Sequence, residues 1–489
     1  MLCSWIREGR AQLGHADVRV KARLLPKRKE YMSHIESATA LRTPKDVVAS
    51  RSSGWSKWLA KGVFAVLDQG LISGSNFLLG ILLARWLGAD QYGAYALAFA
   101  MFILVSLVYQ SLVLEPMTVF GPSVYHGESR KYLGILVRLQ TALGCVVFVV
   151  GAIGAAYFYA RGSAQLAPAL VGATIAGPCV LLFLFARRAC YVELSPSRSL
   201  SGAVLYMPLL LGSIWILRTL KLLSPLTAFA ATGVSALLVS AHLLWRLKPA
   251  MAPEAHGPQL HEVSRRHWDY GRWALAGAVF LWIPWNICYP LVTKFWGLAE
   301  TGSLRALLNL ALPITQTYSA FTLLFLPYTA RLGQREGWPA MKSQALRIAG
   351  VYAGGSALYW LLVCMFSGPL VRFLYAGHYT EIIPLLPWVG LSSIIGGIVM
   401  GPTIVIRAMQ SPASVCWIYL FSSAVAVGVG TPAIWAWGMR GAIVALVLSS
   451  LTTIVSGYLI LRARVRPEQS PGTVKQPVAV EPVSFSSLY

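Results

Sequence analysis

The sequence predicts an all-α polytopic membrane protein of about 12 transmembrane helices in two six-helix lobes, and three observations lead there. Of its 489 residues, 56% are hydrophobic and only 12% are charged, whereas soluble proteins run at roughly 45–50% apolar and 25% charged. The charges are segregated: residues 1–61 hold 18, residues 463–489 hold 5, and 36 are left for the 401 residues between. A ten-residue segment also recurs 209 positions along, which divides that apolar middle into halves. At roughly 20 apolar residues per crossing, the middle suffices for the helices and leaves no room for a separate soluble catalytic domain.

Apolar windows of about 19 residues place spans near 62–84, 94–115, 139–160, 166–186, 201–220, 225–245, 273–293, 303–327, 348–366, 382–406, 413–436 and 441–461. With the N-terminus inside, inside segments hold 33 Lys+Arg and outside segments 8. Both termini are therefore expected in the cytoplasm, and short outside connections argue against an enzyme working through a large external loop. The net charge of +23 follows from this topology, so no nucleic-acid partner is expected.

The expected organisation is a basic N-terminal tail (1–61), an N-lobe (62–247), a cytoplasmic linker (248–271), a C-lobe (272–462) and a Pro-rich C-terminal tail (463–489). The first tail carries 13 Lys+Arg, including Lys27-Arg28-Lys29, and reads as disordered or lying on anionic lipid. It is polar ahead of any apolar run and so is no cleavable signal peptide. Seven cysteines show no CxxC or Cys/His spacing. They read as small packing residues, and no disulfide, metal or cofactor is expected.

The repeat pairs Ala84-Arg85-Trp86-Leu87-Gly88 and Gly93 with Thr293-Lys294-Phe295-Trp296-Gly297 and Gly302. A weaker echo pairs Tyr159-Ala160 and Pro168 with Tyr375-Ala376 and Pro384. Both fall at matching places in the two halves. The halves then read as parallel repeats about an axis along the membrane normal, with a central site between them.

Candidate chemistry lies on polar residues inside spans. Span 1 carries Asp68, and Gln69, Ser73 and Asn76 share a face at i, i+4 and i+7. An ionised carboxylate in the bilayer is costly enough to imply a partner or water, and Asp68 is the candidate ion-coupling residue. Arg305, Asn309 and Gln316 share a face of span 8 around Pro313, Asn286 stands beside Pro284 and Pro290 in span 7, and Gln110 and Arg138 complete the set. Gly70 and Gly74 form a GxxxG pair that permits close helix contact. No P-loop, HExxH, GxSxG or nucleotide fingerprint is present, so the chain is not expected to be an enzyme.

The run Asp68 to Phe77, then Leu83-Ala84-Arg85-Trp86-Leu87-Gly88 and Tyr92-Gly93-Ala94-Tyr95, resembles the opening of bacterial polysaccharide-transport (O-antigen and exopolysaccharide) flippases. Leu374-Tyr375-Ala376-Gly377-His378-Tyr379 resembles the matching region of the second half. Their superfamily also holds multidrug-and-toxin (MATE) antiporters and the lipid II flippase. The resemblance implies a MATE-like fold and alternating access. It further implies transfer of undecaprenyl-diphosphate-linked oligosaccharide to the outer leaflet of the bacterial inner membrane, with a polysaccharide polymerase or copolymerase as a potential partner. On that reading Arg138 and Arg305 are the arginines to test for the diphosphate, with Gln69, Asn76, Gln110, Asn286, Asn309 and Gln316 for sugars or water. Where the lipid II flippase has an Arg-Asp pair ahead of its Ala-Arg motif, this chain has Leu79-Gly80, which argues against lipid II as cargo. The alternatives are a cation-coupled small-molecule exporter of the same fold, and a membrane-embedded polymerase or acyltransferase.

Overall fold

The computed structural model describes residues 44–250, 258–409 and 412–465. Most of both predicted tails, and residues 251–257 of the linker, lie outside the described residues. The chain divides into two compact units, Met1–Ala60 and Lys61–Tyr489. In the first, the described backbone, 44–60, is helical. The second contains all the membrane spans.

Hydrocarbon offers no hydrogen bonds to backbone amides, so a chain this apolar satisfies them within helices, and no strand occurs among the described residues. The N-terminal half comprises α1 (Pro44–Trp86), α2 (Ala89–Tyr109), a π-helical segment (Gln110–Leu114), α3 (Glu115–Ser123), α4 (Ser129–Ala160), α5 (Leu166–Val192), α6 (Pro196–Thr219) and α7 (Pro225–Leu247). The C-terminal half comprises α8 (Leu260–Asn286), α9 (Cys288–Asn309), α10 (Leu312–Met365), α11 (Ser367–Tyr375), α12 (Leu386–Ala408), α13 (Pro412–Gly428) and α14 (Gly430–Val465). The last half of the predicted linker is thus the first turns of α8. Local chemistry sets the ends where it can: Ser224 and Thr227 form a capping box around Pro225 at the start of α7.

Ten helical stretches are long and apolar enough to cross a membrane, and one of them, Ala274–Asn309, folds back on itself within α9. Gly297 sits at φ 90°, a conformation that excludes a side chain at little cost only for glycine. In a straight helix Tyr289 and Arg305 would stand about 24 Å apart. Instead the Arg305 guanidinium donates to the Tyr289 hydroxyl at 3.4 Å, and the Thr293 and Thr301 hydroxyls meet at 2.9 Å. Gly337 (φ 72°) and Gly438 (φ 56°) reverse α10 and α14 similarly. Tyr318 bonds Ser356 across the first, and Gly430 packs on Ala445 across the second. With these reversals the described residues make twelve crossings, six in each half.

The two halves meet at the end of the bundle that holds the Gly297 turn. A Cβ on Gly93 of α2 would fall 1.8 Å from the Leu298 carbonyl oxygen, and one on Gly302 of α9 would fall 2.4 Å from the Ala89 carbonyl oxygen. Ala89 and Gly93 are the 209-residue counterparts of Leu298 and Gly302. The repeat therefore packs on its own copy, backbone to backbone. Around this crossing Arg85 donates to the Phe373 carbonyl at 3.2 Å and Ser303 donates to Glu381 at 2.9 Å. The predicted GxxxG contact does not form: a Cβ at Gly70 or Gly74 would meet nothing within 4 Å.

At the opposite end, among the described residues, α8 bridges the halves. The π-helical turn in α2 displaces carbonyls from their helical partners, and α8 docks there, with Gly271 against the Ser111 carbonyl. Further along, the Trp282 indole donates to the Ala100 carbonyl at 3.0 Å. Gly93→Val or Gly302→Val should prevent the helix crossing from closing, because the steric conflict is with backbone that no rotamer change relieves. Amide hydrogen exchange over residues 89–100 is expected to rise in either variant relative to wild type, with the other membrane helices unchanged.

Candidate functional site

Between the halves lies a cavity of about 1030 Å³. Gly297 caps one end of the bundle, and Arg305, eight residues further on, stands about 12 Å in at 1.5 Å per residue. The lining reaches Arg187 and Arg188, within five residues of the end of α5, and Arg407, next to the last residue of α12. Alternation of the spans puts those two helix ends on the same side, opposite Gly297. The cavity is thus closed at the glycine crossing and runs to the other end.

Four arginines line it and, among the described residues, no aspartate or glutamate does. Their settings differ. Arg187 donates to Asp68 at 2.7 Å, and Tyr191 and Ser199 donate to the same carboxylate oxygen at 2.6 and 3.0 Å. Asp68 is fully buried, so α1 is pinned to α5 and α6 by a neutralised cluster. Arg188 and Arg407 form no salt bridge with any described residue, and neither does Arg305. Arg305 comes from the C-terminal half, and its guanidinium carbon lies 4.9 Å from the Phe99 ring centroid in the N-terminal half and 5.9 Å from that of Tyr289. Cation–π attraction partly replaces a counter-ion here, while its Nε has no hydrogen-bond partner.

Of the residues predicted from sequence, Gln69, Gln110, Asn286 and Arg305 line the cavity. The other four do not. Asn76 is exposed on α1, Asn309 is buried against Gly80, and Arg138 and Gln316 are half-buried outside the lining. The Gln69, Ser73, Asn76 face splits: Gln69 bonds Ser73 at 3.3 Å and lines the cavity, while Asn76 is exposed outside the lining. Asp68 stands behind the wall as the partner of Arg187 rather than in the lining. Arg187, Arg188, Tyr191 and Arg407 were missed. Their arginines sit past the apolar windows and count as loop charges, although α5 runs on to Val192. The signal available was Arg187 and Tyr191 at i, i+4, on one helical face.

A second buried polar site joins the halves at the open end. His267 of α8 lies 2.7 Å from the Tyr132 hydroxyl and 3.1 Å from the Leu112 carbonyl oxygen. A carbonyl can only accept, so Nδ1–H donates to Leu112, and in the neutral ring Nε2 then accepts from the Tyr132 hydroxyl. Burial pushes the His267 pKa down from 6.5 to about 4.

No protein-family profile matches the chain, and no curated protein matches it either. Solved structures do. The inward-facing conformation of a multidrug resistance MATE family transporter of the MOP superfamily superposes with a TM-score of 0.66 at 15% identity, covering 82% of this chain and 98% of that one. The outward-facing conformation of such a transporter gives 0.59 at 14% identity, with 82% and 94% covered. The lipid II flippase MurJ, inward closed, gives 0.63 at 9% identity, with 83% and 87% covered. This is a multi-pass membrane protein, and its fold is that of the MOP-superfamily transporters.

Two measurements check the electrostatics. Asp68→Ala leaves Arg187 without its counter-charge and should cost about 3 kcal/mol, the low end for breaking a buried pair, because Arg187 reaches the cavity. Asp68→Asn should lose less, since the amide oxygen still accepts, and denaturant or thermal unfolding ranks the two. For His267 a lowered folded pKa means the open or unfolded chain binds more protons. Stability is then full above pH 6.5 and falls by about 1.4 kcal/mol per unit between 6.5 and about 4. His267→Gln should flatten that part of the thermal-unfolding profile.

Proposed function

We propose that the protein is a flippase that moves undecaprenyl-diphosphate-linked oligosaccharide from the inner to the outer leaflet of the bacterial cytoplasmic membrane by alternating access. The observation that carries this is the cavity between the lobes, which holds four arginines and no described carboxylate. An anionic headgroup is the ligand such a lining attracts, whereas a cavity for organic cations needs facing carboxylates. Asp68, the candidate for ion coupling, already serves Arg187, which weakens the exporter alternative.

The orientation predicted from Lys and Arg turns the open end to the cytoplasm. Arg188 of one lobe and Arg407 of the other then flank the entry at headgroup depth, where a lipid-borne diphosphate would sit with its polyprenyl chain still in the bilayer. Further in, Gln69, Gln110 and Asn286 offer hydrogen bonds, and the exposed Trp285 offers a face on which a sugar ring stacks. Outward release requires the Gly93/Gly302 crossing and the Arg305–Phe99 contact to separate. The MurJ fold likeness agrees with a lipid-linked cargo, MurJ being by name a lipid II flippase.

A leaflet assay tests the reading. The protein is depleted in its host, and an impermeant sugar-modifying enzyme is applied to sealed right-side-out vesicles. Lipid-linked oligosaccharide should accumulate and stay protected until the vesicles are opened. Oligosaccharide that accumulates in accessible form would show flipping without this protein and favour the exporter or an outer-face enzyme.

A further inference from the structure

The cavity holds more positive charge than a lipid diphosphate uses. Arg187 is balanced by Asp68. A diphosphate diester carries about two negative charges, which Arg188 and Arg407 match from the two lobes. Arg305 is left over, on the cavity wall, without a salt bridge and with its Nε unpartnered.

Its depth decides what can meet it. Arg188 stands about 6 Å from the end of α5, and Arg305 about 12 Å from the closed end, at 1.5 Å per residue. A diphosphate is tethered by its polyprenyl chain to the leaflet it comes from, so the part of the cargo that reaches the far wall is the glycan. The guanidinium there lies over the Phe99 ring at 4.9 Å and donates to the Tyr289 hydroxyl. A flat fork of N–H donors suits a planar carboxylate. A membrane-interior cation whose partners among the described residues are aromatic rings and a hydroxyl, with no carboxylate, is costly enough to need a use.

Resting on the flippase reading above, we infer that the glycan carries a carboxylated sugar, and that Arg305 selects it. Acidic cargo then gains a charge-assisted contact that neutral cargo lacks. The same contact draws the guanidinium off Phe99, one of the places where the lobes touch.

The test uses the full chain in phosphatidylethanolamine–phosphatidylglycerol vesicles with two synthetic cargoes. Each is a polyprenyl-diphosphate trisaccharide ending in galactose. The middle sugar is a hexuronate in one, and in the other its carboxyl is reduced to the alcohol. Oxidation of galactose by galactose oxidase added outside reports the rate at which the protected half emerges. Wild type should move the acid at least about tenfold faster than the alcohol, the scale of one charge-assisted bond. In Arg305→Gln that ratio should fall close to one, whatever the absolute rates, and Arg305→Lys should recover part of it. Equal wild-type rates for the two lipids would overturn the inference and leave the flippase reading standing, as would a ratio unchanged in Arg305→Gln. If neither lipid moves with wild-type protein, the flippase reading falls, and the inference with it.

Discussion

Guanidinium groups inside a membrane protein set the terms on which the rest of this structure is built. A charge at bilayer depth is tolerated only with a counter-charge, a ring face or an aqueous cavity. All three solutions occur here. Asp68 neutralises Arg187 and ties three helices together. Phe99 and Tyr289 flank Arg305. Arg188 and Arg407 stand at the mouth of a cavity between the lobes. The helices are positioned so that the positive side chains converge on one space, and the apolar remainder faces lipid.

That space exists because the halves touch at one end more closely than at the other. Without a hydrophobic force between helices in lipid, association depends on close packing of small residues. The Gly93/Gly302 crossing supplies it, with no side chain between the backbones. The crossing itself is backbone approach alone, and beside it Arg85 donates to the Phe373 carbonyl across the halves at 3.2 Å. At the other end α8 remains attached to the N-terminal half through His267 and Trp282.

Much of this was legible in the sequence, and the failures have physical causes. The apolar windows carry the twelve crossings because the bilayer enforces length and composition. The 209-residue repeat marks the two halves, and its glycines Gly93 and Gly302 form the contact between them. By contrast Gly70 and Gly74 match a packing pattern yet face open space, since the pattern permits a contact without naming a partner. Arg187, Arg188 and Arg407 were lost to the topology count, because window boundaries do not show how far a helix continues. Asn76, Asn309, Arg138 and Gln316 share helical faces or spans with cavity residues but lie outside the lining. Helical phase gives direction around one axis, and the depth and tilt that decide cavity access come from packing.

The central claim is that the cavity recognises an anionic lipid headgroup. Its most direct test is the binding of undecaprenyl diphosphate to the purified protein in neutral-lipid nanodiscs, set against undecaprenol and against a hydrophobic organic cation. The account predicts saturable binding of the diphosphate that weakens with salt and with Arg188→Gln or Arg407→Gln, and no comparable binding of the alcohol or the cation. Equal affinity for diphosphate and alcohol, or tight binding of the cation alone, would contradict it.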